Sequence, residues 1–265
     1  METVNSSPPL LPFPGKVRLA RLIGRRLRFL MDLEDGLGAF TAHTNNTGSM
    51  LGLLRPGCEV LLSVSCSPGR KHPCTVEAVR PDGFWVGVNT GVPTRLLRAA
   101  WAAGVLPECA GYTAFATEPR FEGGRLDALL TGKASGMPGA AASAGLDGRA
   151  LSSDAGELYV ETKNVTLVED CVAQFPDAPS ERARKHMVEL MRLARQGIRA
   201  ALFFAVQRPD GQCFGPAEAV DPEYAALFRE ALAAGVEVWP YVVEVTPEGY
   251  GLGRRLPLAR GLSGP

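Results

Sequence analysis

Little in this sequence favours a metal cluster, a disulfide framework or a membrane. Histidine occurs only three times, at His43, His72 and His186, too few for a His-rich metal centre. The six cysteines, Cys58, Cys66, Cys74, Cys109, Cys171 and Cys213, include no C-x-x-C pair. They read as buried or half-buried free thiols of a reducing compartment. No apolar run approaches the roughly 18 residues that a membrane span needs. Met1 to Pro14 lacks a charged n-region ahead of an apolar stretch, so no signal peptide is expected and the expected location is the cytoplasm. An excess of one charge is also missing: Lys and Arg total 28, and Asp and Glu total 28. That excludes a uniformly basic coat for nucleic acid and leaves only local patches. Aromatic residues make up 7%, so few rings remain for base stacking once a core is filled.

What is present is the composition of a folded chain, 46% hydrophobic and 21% charged over 265 residues. That length gives one or two domains and buries enough surface to need no staple. Residues 1–14, rich in Pro and Ser, read as an extended arm. From 15 to 88, short strands alternate with turns such as Glu34-Asp35-Gly36, Pro56-Gly57 and Pro81-Asp82-Gly83, which predicts a small antiparallel barrel. From 89 to 265 the pattern is mixed α/β. Ala200–Val206 is an unbroken apolar run, as in a strand covered on both faces. Helices are predicted over Arg95–Ala103 and Ser180–Gln196 and from Asp221-Pro222-Glu223, an N-cap followed by Pro at the first helical position. Pro240 predicts an edge or a bulge in the strand Val236–Val245. Gly, Ala and Ser fill 17 of the 26 positions of 131–156, which reads as a flexible loop within a hairpin.

One strand carries chemistry. In Val160-Glu161-Thr162-Lys163-Asn164, a period of two puts Glu161 and Lys163 on one face. Alone, that pair reads most simply as a surface ion pair. Asp127 changes the reading. It interrupts the apolar strand Leu126–Leu130 and would face Glu161 across the hairpin. Two neighbouring carboxylates repel unless a cation lies between them. Asp127 and Glu161 would then bind Mg2+ or Mn2+, with the Thr162 carbonyl as a further ligand, and Lys163 would position the attacking water.

The sequence resembles the sugar fermentation stimulation protein A (SfsA) family. The resembling segments are Asn46–Met50, Arg125–Asp127, Val160–Leu167, Phe175–Ala178, Lys185-His186, Val206–Arg208 and Asp221-Pro222 through Ala234–Val236. The resemblance implies an N-terminal OB-fold-like barrel, then a mixed-sheet domain of the PD-(D/E)XK restriction-endonuclease type. It also implies DNA binding and a role in regulating sugar metabolism. On the family's pattern Asp127, Glu161 and Lys163 fall on the nuclease-like triad, with Gln207 near the same edge.

Three basic patches offer DNA contacts. Lys16, Arg18, Arg21, Arg25, Arg26 and Arg28 place six cations in thirteen residues without an acid. Arg70, Lys71 and His72 form a second patch at a turn. Arg182, Lys185 and Arg192, opposite the apolar face of the 180–196 helix together with Glu189, form a third, flanked by Arg184 and His186. Each patch also reads as an ordinary solvated face. Three functions stay open: a metal-dependent nuclease, a non-catalytic DNA-binding regulator, and a small-ligand sensor with its pocket between the domains. The apolar residues of the two C-terminal helices belong either to a core or to a homodimer face.

Overall fold

A computed structural model describes residues 10–67, 69–121, 124–132 and 156–262. Most of the low-complexity stretch 131–156 and the first nine residues of the arm lie outside them. The arm enters as β1 (Leu11–Pro12). The barrel follows as β2 (Lys16–Arg26), β3 (Leu30–Asp35), β4 (Gly38–His43), β5 (Glu59–Val64), β6 (Cys74–Arg80) and β7 (Val86–Gly87). Its strand order is β4-β3-β2-β5-β6-β7, and a parallel bridge from His43 to Thr75 joins β4 to β6. Met31, Leu33, Val60, Leu62, Val76 and Val86 fill it.

Next come α1 (Val92–Ala102), a 3-10 turn at Pro107–Cys109, β8 (Ala114–Thr117), β9 (Arg120–Phe121), β10 (Gly124–Arg125) and β11 (Ala128–Thr131). The chain continues through β12 (Glu157–Val165), β13 (Leu167–Glu169), β14 (Val172–Phe175), α2 (Glu181–Arg195), β15 (Arg199–Val206) and β16 (Cys213–Pro216). It ends with α3 (Pro222–Ala233), β17 (Glu237–Thr246) and β18 (Gly249–Arg255). Seven strands form the main sheet, in the order β1-β18-β17-β15-β12-β11-β8, with β12, β15 and β17 mutually parallel.

Period-two alternation explains the apolar run of β15. Ala201, Phe203 and Ala205 pack toward α1 and the barrel's Leu61 and Ala78. Ala200, Leu202, Phe204 and Val206 pack toward α2 and α3. The sheet is therefore sandwiched between the barrel with α1 on one face and the other two helices on the other. The apolar faces of α2 and α3 lie in this core, and Val188 is the large apolar residue they leave exposed among the described residues. Both helices begin as the sequence predicts: Ser180 Oγ accepts from Ala183 N, and an Asp221 carboxylate oxygen accepts from Tyr224 N.

The structure refines three local expectations. Of the two readings of Pro240, edge or bulge, the second is the one found: β17 is interior, between β15 and β18, and its pairing slips between Tyr241 and Val243. The described end of the arm is extended and joins the main sheet. Leu11 and Pro12 pair with Tyr250 and Gly249, and Phe13 packs edge-on against Tyr250. All six thiols are free, but Cys66 and Cys171 are exposed; burial pushes the Cys109 thiol up to about 12.

Barrel and sheet share a tight junction. A Cβ on Gly87 of β7 would lie 2.1 Å from Gln207 Oε1 at the end of β15, so only glycine allows this approach. Beside it the barrel's buried Glu77 accepts from Ser63 Oγ at 2.6 Å, Asn89 Nδ2 at 2.8 Å and Tyr250 OH at 3.0 Å.

Candidate metal-dependent nucleic-acid site

The register Ala128↔Val160 puts Asp127, just before β11 begins, opposite Glu161. Asp127 turns its side chain along the neighbouring strand. Its Oδ2 accepts from the Thr162 backbone N–H at 2.8 Å and from Thr162 Oγ1 at 2.7 Å. Thr162 points to the α1 side of the sheet, where its hydroxyl meets Thr94 Oγ1 at 2.9 Å. Glu161 and Lys163 project together on the α2 side, with Lys163 Nζ 2.5 Å from Glu161 Oε1. His186 Nδ1 also bonds Glu161 Oε1.

The electrostatics are lopsided. Glu161 is 2% exposed. Burial pushes its carboxyl up, but Lys163 and His186 outweigh that and hold it below the ordinary carboxylate range. Burial, and then the Glu161 charge, raise the Asp127 carboxyl above its ordinary value against the bonds from Thr162. Meanwhile Glu161 Oε2 is buried without a hydrogen-bond partner. An orphaned carboxylate oxygen beside a second, repelled carboxylate is what a hard divalent cation relieves. In an extended strand the N–H and C=O of one residue point to the same edge, so the Thr162 carbonyl opens toward Asp127. Among the described residues no three His, Cys, Asp or Glu side chains converge. A cation here would accordingly take two carboxylates and a carbonyl, with water completing its shell.

These groups floor a cavity of about 570 Å3 between barrel and sheet. One wall is the barrel loop with Asn46, Thr47 and Gly48; the other is the segment Phe175–Arg182. Arg25 holds the barrel loop, its guanidinium donating to Asn46 O and Gly48 O at 2.8 Å each. Ser49 Oγ donates to Asp177 Oδ2 at 3.0 Å and ties the walls together.

The remaining basic residues are dispersed. Arg18 pairs with Asp35 at 2.6 Å and Arg26 with Asp32 at 2.7 Å, acids supplied by the neighbouring strand β3. Arg21 bonds Gly57 O, and Arg70 bonds Thr75 Oγ1. Arg28 and Lys71 are exposed, and Arg182 is exposed at the cavity. Lys185 lies away from the cavity, in a surface depression with Phe121 and Val188. Glu189, read as solvent-facing, is 9% exposed beneath Arg192. The sequence offers His186 or Lys185 as a cation contributed by the helix near a scissile phosphate; the structure buries His186 against Glu161, and its spacing from Ala183 and Leu190 already placed it on the buried face. Sequence reasoning gave the Asn46–Met50 and Phe175–Ala178 segments no place in the site, although they carried the family resemblance.

Comparison with known proteins agrees with this architecture. Residues 91–249 match the sugar fermentation stimulation protein RE domain, and residues 23–88 match the SfsA N-terminal OB domain. A sugar fermentation stimulation protein homologue from Syntrophobacter fumaroxidans is 50% identical over 94% of this chain and 88% of its own. One from Maridesulfovibrio salexigens is 49% identical over 96% of this chain and 98% of its own. The solved structure of Pyrococcus furiosus SfsA in complex with Ca2+ superposes with a TM-score of 0.79, at 26% identity, covering 94% of this chain and 98% of that one. With both domains matched in order and relatives this close along nearly the whole length, the chain belongs to the SfsA, or sugar fermentation stimulation protein, family.

Proposed function

We propose that this protein binds DNA and that its cleft is a Mg2+- or Mn2+-dependent phosphodiesterase site of the endonuclease kind. The observation that carries the reading is the buried, partnerless Glu161 Oε2 beside Asp127 and Lys163. The Pyrococcus furiosus relative was solved in complex with Ca2+, which supports a divalent ion in this fold. Asp127, Glu161 and the Thr162 carbonyl would hold the cation, which supplies Lewis acidity toward a phosphate oxygen and toward water. Thr162 fixes the Asp127 carboxylate. His186 anchors Glu161 through Oε1 and leaves Oε2 for the cation. Lys163, held by Glu161, orients the attacking water and offsets charge developing on the phosphate. Arg182 at the cavity would take a flanking phosphate, and exposed Arg28 and Lys71 would add distant phosphate contacts.

The test incubates wild type, Lys163→Ala and Glu161→Ala with end-labelled DNA in Mg2+, Mn2+ or EDTA. Binding is followed in the same samples. Cutting by wild type alone, with binding kept by both variants, is expected. Metal at one hundred times its Kd should also stabilise wild type by about 2.7 kcal/mol, and Asp127→Asn should lose that gain. Binding without cutting under every metal would instead leave a non-catalytic DNA-binding regulator of sugar metabolism genes.

A further inference from the structure

We infer that this cleft takes an unpaired DNA strand, such as a frayed or single-stranded segment, and excludes intact duplex. The inference rests on the nuclease reading for the identity of the polymer and on the cavity walls for its form.

The site floor is recessed: Glu161 is 2% and Thr162 8% exposed. The space above it, about 570 Å3, equals a sphere about 10 Å across. Pockets of about 300–1,000 Å3 enclose a drug-sized ligand, and one or two nucleotides are of that size. A duplex, whose major groove alone is about 12 Å wide, does not fit. The walls are also fixed in place. Besides Arg25, the barrel loop is held by Asn45, whose Nδ2 donates to Asn89 Oδ1 at 2.6 Å while its Oδ1 accepts from Thr90 N at 3.1 Å. Asn46 Oδ1 accepts from Gly48 N at 2.8 Å. The Ser49–Asp177 hydrogen bond straps the loop to the opposite wall. A strand reaching Glu161 therefore passes between these walls, with its phosphates near Lys163 and Arg182 and its bases against amides and hydroxyls of Asn46, Thr90 and Asn164.

The experiment uses full-length Glu161→Gln protein in Ca2+, with fluorescent 12-mers as single strand, forked duplex and blunt duplex of one sequence. Expected is binding of the single strand and the fork at least tenfold tighter than of the blunt duplex. Thr47 is exposed on the barrel wall, so Thr47→Trp should fill the cleft and weaken single-strand binding at least tenfold while leaving duplex binding unchanged. Asp177→Ala, which releases the strap, should narrow the gap between single strand and duplex; Asp177→Asn, which keeps an acceptor, should not. Equal or tighter binding of blunt duplex, or no binding to any of the three, would overturn the inference. Because binding is the readout, failure of cutting sinks the nuclease reading alone. Metal-dependent cutting with equal binding of duplex and single strand sinks this inference alone.

Discussion

Replacing Tyr250 by Phe tests how the barrel is fastened to the sheet. Tyr250 is 2% exposed and comes from β18, while Glu77 is 2% exposed and comes from β6 of the barrel. The single hydroxyl proton is shared between Glu77 O and Glu77 Oε2, both at 3.0 Å. Burial, and then the neighbouring Glu77, push the phenol well above its ordinary value, so it serves as a donor throughout the accessible pH range. Ser63 and Asn89 still donate to the carboxylate in the variant, which limits the damage to one donor. A buried hydrogen bond to a charged group contributes roughly 1.5–3 kcal/mol, and phenylalanine fills the same ring volume. We expect a loss of about 2 kcal/mol. A domain of about 150–250 residues shifts by roughly 2–4 °C per kcal/mol, which gives a fall in Tm of about 4–8 °C. The assay is urea unfolding of wild type, Tyr250→Phe, Glu77→Gln and the double variant. The cycle should return a coupling of about 1 kcal/mol or more. A loss under about 0.5 kcal/mol for Tyr250→Phe, or strict additivity in the cycle, would refute this account of the junction.

Two further outcomes follow from the packing. Burial pushes the Asp221 carboxyl up, but hydrogen bonds from Ser180 N, Tyr224 N and Arg184 outweigh it and hold the group below its ordinary value. Its folded value lies below the unfolded value of about 3.9, so its contribution is complete above that pH and is lost as pH falls through the folded value. Asp221→Asn should therefore be less stable than wild type at pH 6 and should lose less on acidification from pH 5 to 2.5; parallel acid limbs in urea midpoints would contradict this. Gly87→Ala drives a methyl into Gln207, which is fully buried and bonded to Asn164, and should cost about 1–3 kcal/mol. Adding Gln207→Ala should restore part of that stability, and a second loss on top of the first would show that the clash is not the cause.

The parts of this molecule legible in the sequence are those governed by short-range rules. Period two placed Glu161 and Lys163 on one face of β12. Burial of alternate residues on opposite cores produced the apolar run of β15. The Asp221-Pro222 start of α3 needed only local capping chemistry. What was hidden depends on partners distant in sequence. The run of cations in β2 looked uncompensated because Asp32 and Asp35, which pair with Arg26 and Arg18, stand on the next strand. Pro240 signals a break in regular pairing, and the pairing with β18 does slip close to it, but which strands flank β17 is not written in the ten residues around it. Asp127 was expected to face Glu161, which the register bears out, but its hold on Thr162 is a side-chain choice that only the packed sheet determines.

The pairing of β1 with β18 sets a condition on how the protein is made. Leu11 and Pro12 pair with Tyr250 and Gly249, which are synthesised long after them. At roughly 5–20 residues per second, the 236 residues between Pro12 and Gly249 take about 12–47 s to synthesise. Within that interval strands β2 to β7 of the barrel are all made, while β1 still lacks its partner strand β18. The order of synthesis and the order of assembly thus differ: β1 can join the main sheet only once β18 has been made.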